Sequence, residues 1–577
     1  MTKDFKSLLN QKKRAFCAGD LHKVKEVQRE IVCQTVKCQE KYRHKIEMQF
    51  INNNLKSAWE GIKSVIGIKK KKQDVNVIDC AGFANEQNTF YSRFDNQDFS
   101  EEIEEMYSSL PESVGLIITN DDVLRTFKQL NVRKSCGPDN LPGIVLKECG
   151  EQLCSIFQKL FQWSVNSYQI PTIWKTSNII PVPKKAGPSV LNDYRPVALT
   201  SIVMKCLERI VKKLLFEDVS HLMDQLQFAY RPGRGTEDAT MTLLHNVYSH
   251  LDSCNNYVRI LFVDFSSAFN TIQPHLLMNK LLQLGVNTNI IKWVKEFMVN
   301  RFQYVSVNCK QSSLATVSTG APQGCVLSPI LFTLYTNDCS CSSNDVFTVK
   351  YADDAALTGL ISKSELNYRN EISNFVSWCK ENFLFLNVKK TKELIIDFRK
   401  KKEPVKPTMI DNEEIEIVDH YKYLGTIIDS KLTFNQNTDL IYKKGQQRLY
   451  FLRTLRNFSV DKTIMSLFYR TFIQSILSFN FLCWYEGLSL RNKNKLSKIV
   501  AIANKIAGTY FESISNIYER QTVKKVNKII MDSSHPFSSY YEPLPSGRRL
   551  RLPSFRTNRA RSSFIPSSIR VYNKYFD

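Results

Sequence analysis

No Cys-x-x-Cys pair occurs among the 15 cysteines, and only Cys339 and Cys341 stand close together, with no histidine nearby. That spacing excludes a zinc knuckle and a disulfide framework, and the cysteines read as small buried residues of a reducing compartment. Long apolar runs are also missing. The nearest to membrane-spanning length, Thr471 to Tyr485, is broken by Gln474, Ser475, Ser478 and Asn480 and reads as a buried helix. The opening, Met1 to Asn10, alternates charged and apolar residues without a signal peptide's hydrophobic region, which predicts an intracellular protein with no membrane partner. There is no internal repeat. Acidic residues are few: 56 Asp and Glu against 79 Lys and Arg leave a formal charge of +23 and a pI of about 9.3. Such a surplus calls for a polyanionic partner, nucleic acid first and an anionic membrane surface second.

At 577 residues the chain exceeds one compact core, so three or four domains, or one large enzyme domain with flanking modules, are expected. Residues 1–78 are Lys-, Arg-, Gln- and Glu-rich with apolar residues at helical spacing, and contain the run Lys69 to Lys72. They read as basic helices and a linker, either a solvated face or a phosphate-contacting arm. Glu101 to Glu105 reads as a solvated helix start. From Trp163 to Asp429 short apolar runs alternate with amphipathic helices, an α+β pattern, including a helical stripe from Leu199 to Leu214 with Thr200 as its cap. Residues 430–530 turn all-helical and basic, and 531–577 form an Arg-, Ser- and Pro-rich tail with no expected core of its own.

Three stretches carry chemistry. Tyr257 to Phe265 is a β-prone run that delivers Asp264 where a buried strand emerges, followed by Pro274 at a helix first turn and Gly285 at its stop. Val346 to Leu360 reads as a β-hairpin with Tyr351-Ala352-Asp353-Asp354 at the turn. An Asp-Asp turn alone mostly caps backbone amides. Partnered with Asp264 it supplies the three carboxylates that two hard cations ~3.5–4 Å apart need, with substrate phosphates completing their oxygen shell. Between them lies Gly320 to Pro329, a rigid turn into a helix with Ser328 as N-cap and Pro329 first in the helix.

In this order, Asp264 to Phe269, Gly320 to Pro329 and Tyr351 to Asp354 resemble motifs A, B and C of reverse transcriptases. The Tyr-Ala-Asp-Asp form, with Tyr194 to Val197 and Phe228 to Arg234, resembles the non-LTR retrotransposon enzymes of the LINE or jockey-like type. The resemblance implies an RNA-directed DNA polymerase (a nucleotidyltransferase) acting on an RNA template, a DNA primer or target and deoxynucleoside triphosphates. It implies a right-hand α+β fold: a fingers extension (79–161), fingers and ferredoxin-like palm (162–429) and helical thumb (430–530). Asp264, Asp353 and Asp354 would hold two Mg²⁺ ions, with Mn²⁺ as a substitute. Phe269 would be the steric gate against ribose, or a core ring. Gln323 and Phe265 would contact the nucleotide, as would Arg195 with Lys184 or Lys185. Lys390, in the motif-D-like stretch Leu386 to Lys392, would protonate pyrophosphate, or belong to a plain basic turn. Tyr423, Leu424 and Gly425 would form the primer grip.

Departures are few: Ala229 and Gly235 stand where relatives often have Gly and Ser. Neither an endonuclease ahead of the polymerase region nor an RNase H after it is expected, so a separate endonuclease is expected as a partner, and the chain is expected to be the polymerase half of a longer protein. Action on chromosomal DNA implies nuclear as well as cytoplasmic residence. The alternatives are a silent or domesticated nucleic-acid-binding relic, a telomerase-like enzyme and an intron maturase.

Overall fold

The computed structural model describes residues 3–52, 54–67, 79–402, 404–545 and 547–575. The Lys69 to Lys72 run, the rest of the expected linker up to residue 78, and Ser546 lie outside the described residues. The chain divides into two compact units, and these cut across the expected segments. One joins residues 1–72, 433–528 and 567–577; the other joins 73–432 and 529–566.

The first unit is helical. Its N-terminal helices Lys3–Cys17, Leu21–Ile51 and Leu55–Val65 gather with Asn435–Asn457 and Leu490–Ala507 in the same unit. Trp59 packs on Phe472, ring centroids 5.1 Å apart. The expected single helix over Thr471 to Tyr485 is not formed. The segment is a π-helical turn Tyr469–Gln474, a short turn Ser475–Leu477 and a 3₁₀ turn Phe481–Cys483, with Asn480 at φ +49° between the last two. Of the polar residues that interrupt the apolar run, Ser478 and Asn480 stand where the helix breaks, whereas Gln474 and Ser475 lie within it. Among the described residues, no helix is long and apolar enough to cross a membrane.

The second unit holds the α+β part. Its central sheet orders the strands Glu416–Val418, Lys392–Asp397, Tyr257–Val263, Asp354–Ile361 and Val346–Tyr351. Neighbours among the last four are antiparallel, and the four occur in the chain as β-α-β-β-α-β, a ferredoxin-like arrangement. Tyr257–Val263 is buried at all seven positions, as its unbroken β-branched and aromatic run foretells. A second sheet pairs Ser177–Pro183 with Tyr194–Leu199 and with Arg301–Val307. The long helix after it is Ile202–Val219, capped by Ser201 and not Thr200: the Ser201 hydroxyl accepts from the Met204 N–H at 3.3 Å.

Side chains alternate across a strand, so Arg259 and Asp264 point to opposite faces of the central sheet. On its face Arg259 is fully buried and forks onto Glu393 at 2.9 and 2.7 Å, with Glu365 at 2.8 Å. Burial alone would lower the guanidinium's pKa, but the hydrogen bonds and charge of these two carboxylates outweigh it and hold the proton on. Glu393→Ala leaves that cation buried without the carboxylate it forks onto, held only by Glu365, Thr408 and the Lys406 carbonyl. The expected cost is about 3–5 kcal/mol, read as a lower denaturation midpoint at unchanged m-value.

Most of the tail, for which no core of its own is expected, packs within the second unit. Residues 529–566 belong to the second unit, burying His535, Phe537, Tyr541 and Leu550. His535 meets Asp238 at 3.1 Å, the Asp252 carboxylate accepts from the Arg556 and Thr557 N–H groups, and Arg559 lies 3.3 Å above the Phe398 ring. Composition hides this because the apolar anchors are single residues spaced along an Arg-rich stretch.

Candidate active site

Antiparallel register explains how the aspartates come together. Val263 pairs with Ala355, which carries Asp264 opposite Asp354, and Tyr351 pairs with Asp354 across the two-residue turn Ala352-Asp353. Neighbouring strands lie about 4.8 Å apart, so three carboxylates share one end of the sheet. Their charges register on one another. The Asp353 carboxyl is raised above the usual range by burial, with Asp264 adding to the rise and Arg195 opposing it. Asp354 is raised to about 6 by burial and by the charges of Asp353 and Asp264. Among the described residues no three His, Cys, Asp or Glu side chains converge into a ready-made metal cage. Mutual repulsion works against such convergence of carboxylates. The Oδ2 atom of Asp264 is buried without a hydrogen-bond partner, its nearest cation being Lys390 Nζ at 3.6 Å. An orphaned carboxylate oxygen beside two carboxyls that resist ionisation fits a site completed by divalent cations.

Lys390 is presented by a segment tied to Asp264. The Asn387 N–H donates to the Asp264 carbonyl at 2.8 Å, and the Asp264 N–H donates to Thr391 Oγ1 at 3.3 Å. Lys184 and Lys185, equivalent by spacing, are separated by the fold. Lys185 pairs with Asp193 at 3.0 Å. Hydrogen bonds from the Ser189 N–H and from Lys185 hold the Asp193 carboxyl down at about 2. Lys184 donates to the Asn192 carbonyl at 2.6 Å, and its ammonium is lowered by burial and by the positive charges of Lys390 and Arg195. Arg195 thus acts on Asp353 and Lys390 on Asp264, Lys184 feels the charge of both cations, and Lys185 is paired with Asp193.

Phe269 lies on the 3₁₀ turn Ala268–Asn270, half-buried, its ring 4.9 Å from Phe332. The loop Gly320 to Gly324 is bonded to this turn. The Ala321 N–H donates to the Phe269 carbonyl at 2.7 Å, and Gln323 Nε2 donates to Asn270 Oδ1 at 3.3 Å. Gly320 at φ +77° and Gly324 at φ +131° allow the closeness: a Cβ on either would sit 2.7 Å from the backbone of Asn270 or Ala198. Phe265 is placed differently from expectation. Its ring packs toward Phe375 at 6.3 Å and its main chain bridges Leu386, so its side chain belongs to the core and not to the nucleotide side.

The expected N-cap also differs. The helix is Ser328–Tyr335 with Leu327 at the cap, and the Ser328 hydroxyl donates to the Pro322 carbonyl at 2.7 Å. The two residues before the helix are held by a distant one: the buried Glu208 carboxylate accepts from the Val326 and Leu327 N–H groups at 2.5 and 3.0 Å. Burial lifts Glu208 to about 7 against the pull of those N–H groups. A carboxyl raised on folding binds its proton more tightly in the native state, so its contribution is full below the unfolded pKa and is lost as pH rises toward 7. Glu208→Gln removes that loss. Its stability, read from melting curves, should gain on the parent between pH 4.5 and 7, by on the order of 3 kcal/mol at the upper end. Parallel melting curves across that range would contradict the assignment.

Tyr423 is buried with its ring 5.3 Å from Phe262, and Tyr421 stacks on the same ring at 4.1 Å. Burial and the Asp354 charge raise both hydroxyls, which puts the hairpin His420–Tyr423/Thr426–Asp429 beside the aspartates. Leu424 and Gly425 form its turn at φ +43° and +90°.

Sequence reading missed Arg93, Glu208, Gln227 and Arg301. Arg93 donates to Ser267 Oγ at 3.2 Å while lying over Phe90 at 3.8 Å. Arg301 is buried and donates to the carbonyls of Thr319 and Gly320, both at 2.7 Å, and burial brings its guanidinium down to about 10. Only Glu208 left a trace in sequence, a carboxylate among the apolar positions of a helical stripe.

Residues 182–428 match the family described as "Reverse transcriptase (RNA-dependent DNA polymerase)". Residues 434–475, in the helical unit, match "Alkylated DNA repair protein alkB homolog 8, N-terminal". Among curated proteins, the "Probable RNA-directed DNA polymerase from transposon BS" of Drosophila melanogaster is 24% identical over 67% of this chain and 44% of its own length. The "RNA-directed DNA polymerase from mobile element jockey" of the same fly is 27% identical over 60% of this chain and 39% of its own. A "Retrovirus-related Pol polyprotein from type-1 retrotransposable element R1" of Bradysia coprophila is 23% identical over 56% of this chain and 32% of its own. The chain thus spans under half the length of these relatives. The matched region begins before Lys184 and ends in the second strand of the Tyr421 hairpin, enclosing the aspartates, the Gly320 loop and Lys390. Residues 182–428 thus match the reverse transcriptase family, and the chain is similar to polymerases named for transposable elements.

Proposed function

We propose that the chain is an RNA-directed DNA polymerase that extends a DNA 3′ end on an RNA template, with Asp264, Asp353 and Asp354 as its metal-binding carboxylates. The observation that carries this reading is the placement of Asp264 and the Asp353-Asp354 turn at one end of adjoining antiparallel strands, with an unsatisfied Asp264 oxygen. Two divalent cations held there would lower the pKa of the primer hydroxyl and neutralise charge on the leaving pyrophosphate. The protein's own share is positioning and electrostatics. Arg195 and Lys184 bind the triphosphate by charge. Lys390, 3.6 Å from Asp264, donates a proton to the departing pyrophosphate. Gln323 and Phe269, bonded into one loop assembly, orient the nucleotide and exclude a ribose 2′-OH.

In this reading the central sheet is the palm, the second sheet belongs to the fingers, and the helical segment after Thr433 is the thumb. Tyr423, Leu424 and Gly425 form the primer grip beside the palm. Target DNA places the activity in the nucleus, with a separate endonuclease as a partner for strand nicking. The test is incorporation of deoxynucleotides on an RNA template by the purified chain with Mg²⁺, and its loss on chelation. Equal incorporation in chelator would sink the reading.

A further inference from the structure

Hairpins joined by two residues leave main-chain donors in the turn without a ladder partner. Here the exposed donor is the N–H of Ala352, which stands at φ +57° although it is not glycine. Left-handed backbone at such a residue costs of order 1 kcal/mol and persists only where the surroundings hold it. What holds it is a side chain outside the matched motifs. The Phe228 N–H donates to the Lys350 carbonyl at 2.9 Å, and the Lys350 N–H donates to the Leu226 carbonyl at 2.8 Å, so a short parallel bridge runs up to Gln227 and stops. Beyond it the Gln227 side chain continues the pairing. Its Oε1 accepts from the Ala352 N–H at 3.2 Å and from the Ala229 N–H at 3.0 Å. Two N–H donors aimed at one atom identify that atom as the oxygen. Gln227 is 1% exposed, and its Nε2 has no hydrogen-bond partner. An amide buried at that cost, half unsatisfied, is kept for what its oxygen does. The strand below is equally fixed: Lys350 Nζ donates to the carbonyls of Thr336 and Cys339 and pairs with Asp224 at 2.8 Å.

We infer that Gln227 is a positioning residue for the aspartate turn, fixing the Ala352 main chain and through it the attitude in which Asp353 and Asp354 meet divalent cations. The inference rests on the metal-binding reading of those aspartates. Gln227 acts as an outer partner of carboxylate ligands, a class whose loss typically weakens metal binding about 10–100-fold. Gln227→Met keeps the length and apolar bulk and removes the acceptor. Gln227→Glu keeps the acceptor.

The experiment is Mn²⁺ binding to the substrate-free full chain by electron paramagnetic resonance, for the parent, Gln227→Met, Gln227→Glu and Asp353→Asn, with RNA–DNA duplex affinity measured alongside. Gln227→Met should weaken Mn²⁺ by roughly 10–100-fold with duplex affinity unchanged, and Gln227→Glu should stay within a few-fold of the parent. Parent-like Mn²⁺ affinity in Gln227→Met, or a loss as large in Gln227→Glu, overturns the inference while leaving the aspartates as ligands. Parent-like affinity in Asp353→Asn overturns the metal reading itself. Should Gln227→Met not fold, amide exchange in the parent decides: Ala352 should exchange as a protected amide, and exchange at the rate of an open turn overturns the inference.

Discussion

Asp353→Asn is expected to lower primer extension by about 10³-fold or more, a loss of at least about 4 kcal/mol of transition-state stabilisation, while duplex affinity changes little. The size follows from the position of Asp353. It lies in the turn between the two hairpin strands, and its carboxyl is already raised by burial and by Asp264. Asparagine keeps the shape and one oxygen but carries no charge, so cation binding loses a full unit of attraction in a partly desolvated place. The turn should survive, because Ala352 is held by Gln227 and not by Asp353. Phosphate contacts elsewhere supply duplex affinity. Loss of duplex binding in step with activity would show that the substitution unfolds the hairpin and that no separate metal role has been measured.

Phe269→Ala is expected to cut discrimination against ribonucleotides by roughly two orders of magnitude, the scale that shape exclusion alone achieves. The ring is half-buried, and its main chain is tied to Ala321, next to the Gln323 loop. It also packs on Phe332, so the same change should lower stability by about 3 kcal/mol. The two effects are separable, since selectivity is a ratio of kcat/KM values for the two sugars and does not depend on the folded fraction. A lower melting temperature with unchanged selectivity would return Phe269 to the core alone.

The strands that carry the aspartates were legible because their signals are local: an unbroken β-prone run before Asp264, a hairpin pattern around Ala352, Pro274 opening a helix and Gly285 following its end. What escaped was non-local. Ser328 looks like a cap in sequence, but its hydroxyl turns back to the Pro322 carbonyl, while Glu208, more than a hundred residues earlier, takes the Val326 and Leu327 amides just before the helix. Lys184 and Lys185 are indistinguishable by spacing until Asp193 claims one of them. Phe265 follows Asp264 directly, yet strand alternation turns it to the other side. The unit boundaries were illegible for the same reason, since packing of the N-terminal helices with the segment after Thr433 leaves no mark in either stretch alone.

The central claim is that three aspartates on adjoining strands make this chain copy RNA into DNA. Its most direct test is extension of a DNA primer on an RNA template with Mg²⁺ and deoxynucleotides, by the purified chain and its Asp264→Asn, Asp353→Asn and Asp354→Asn variants side by side. The account predicts full-length product from the parent and a large loss in each variant, with duplex binding retained by all four. Extension by the parent that persists undiminished in Asp264→Asn or Asp353→Asn would contradict it, as would a parent that binds the duplex tightly and adds no nucleotide.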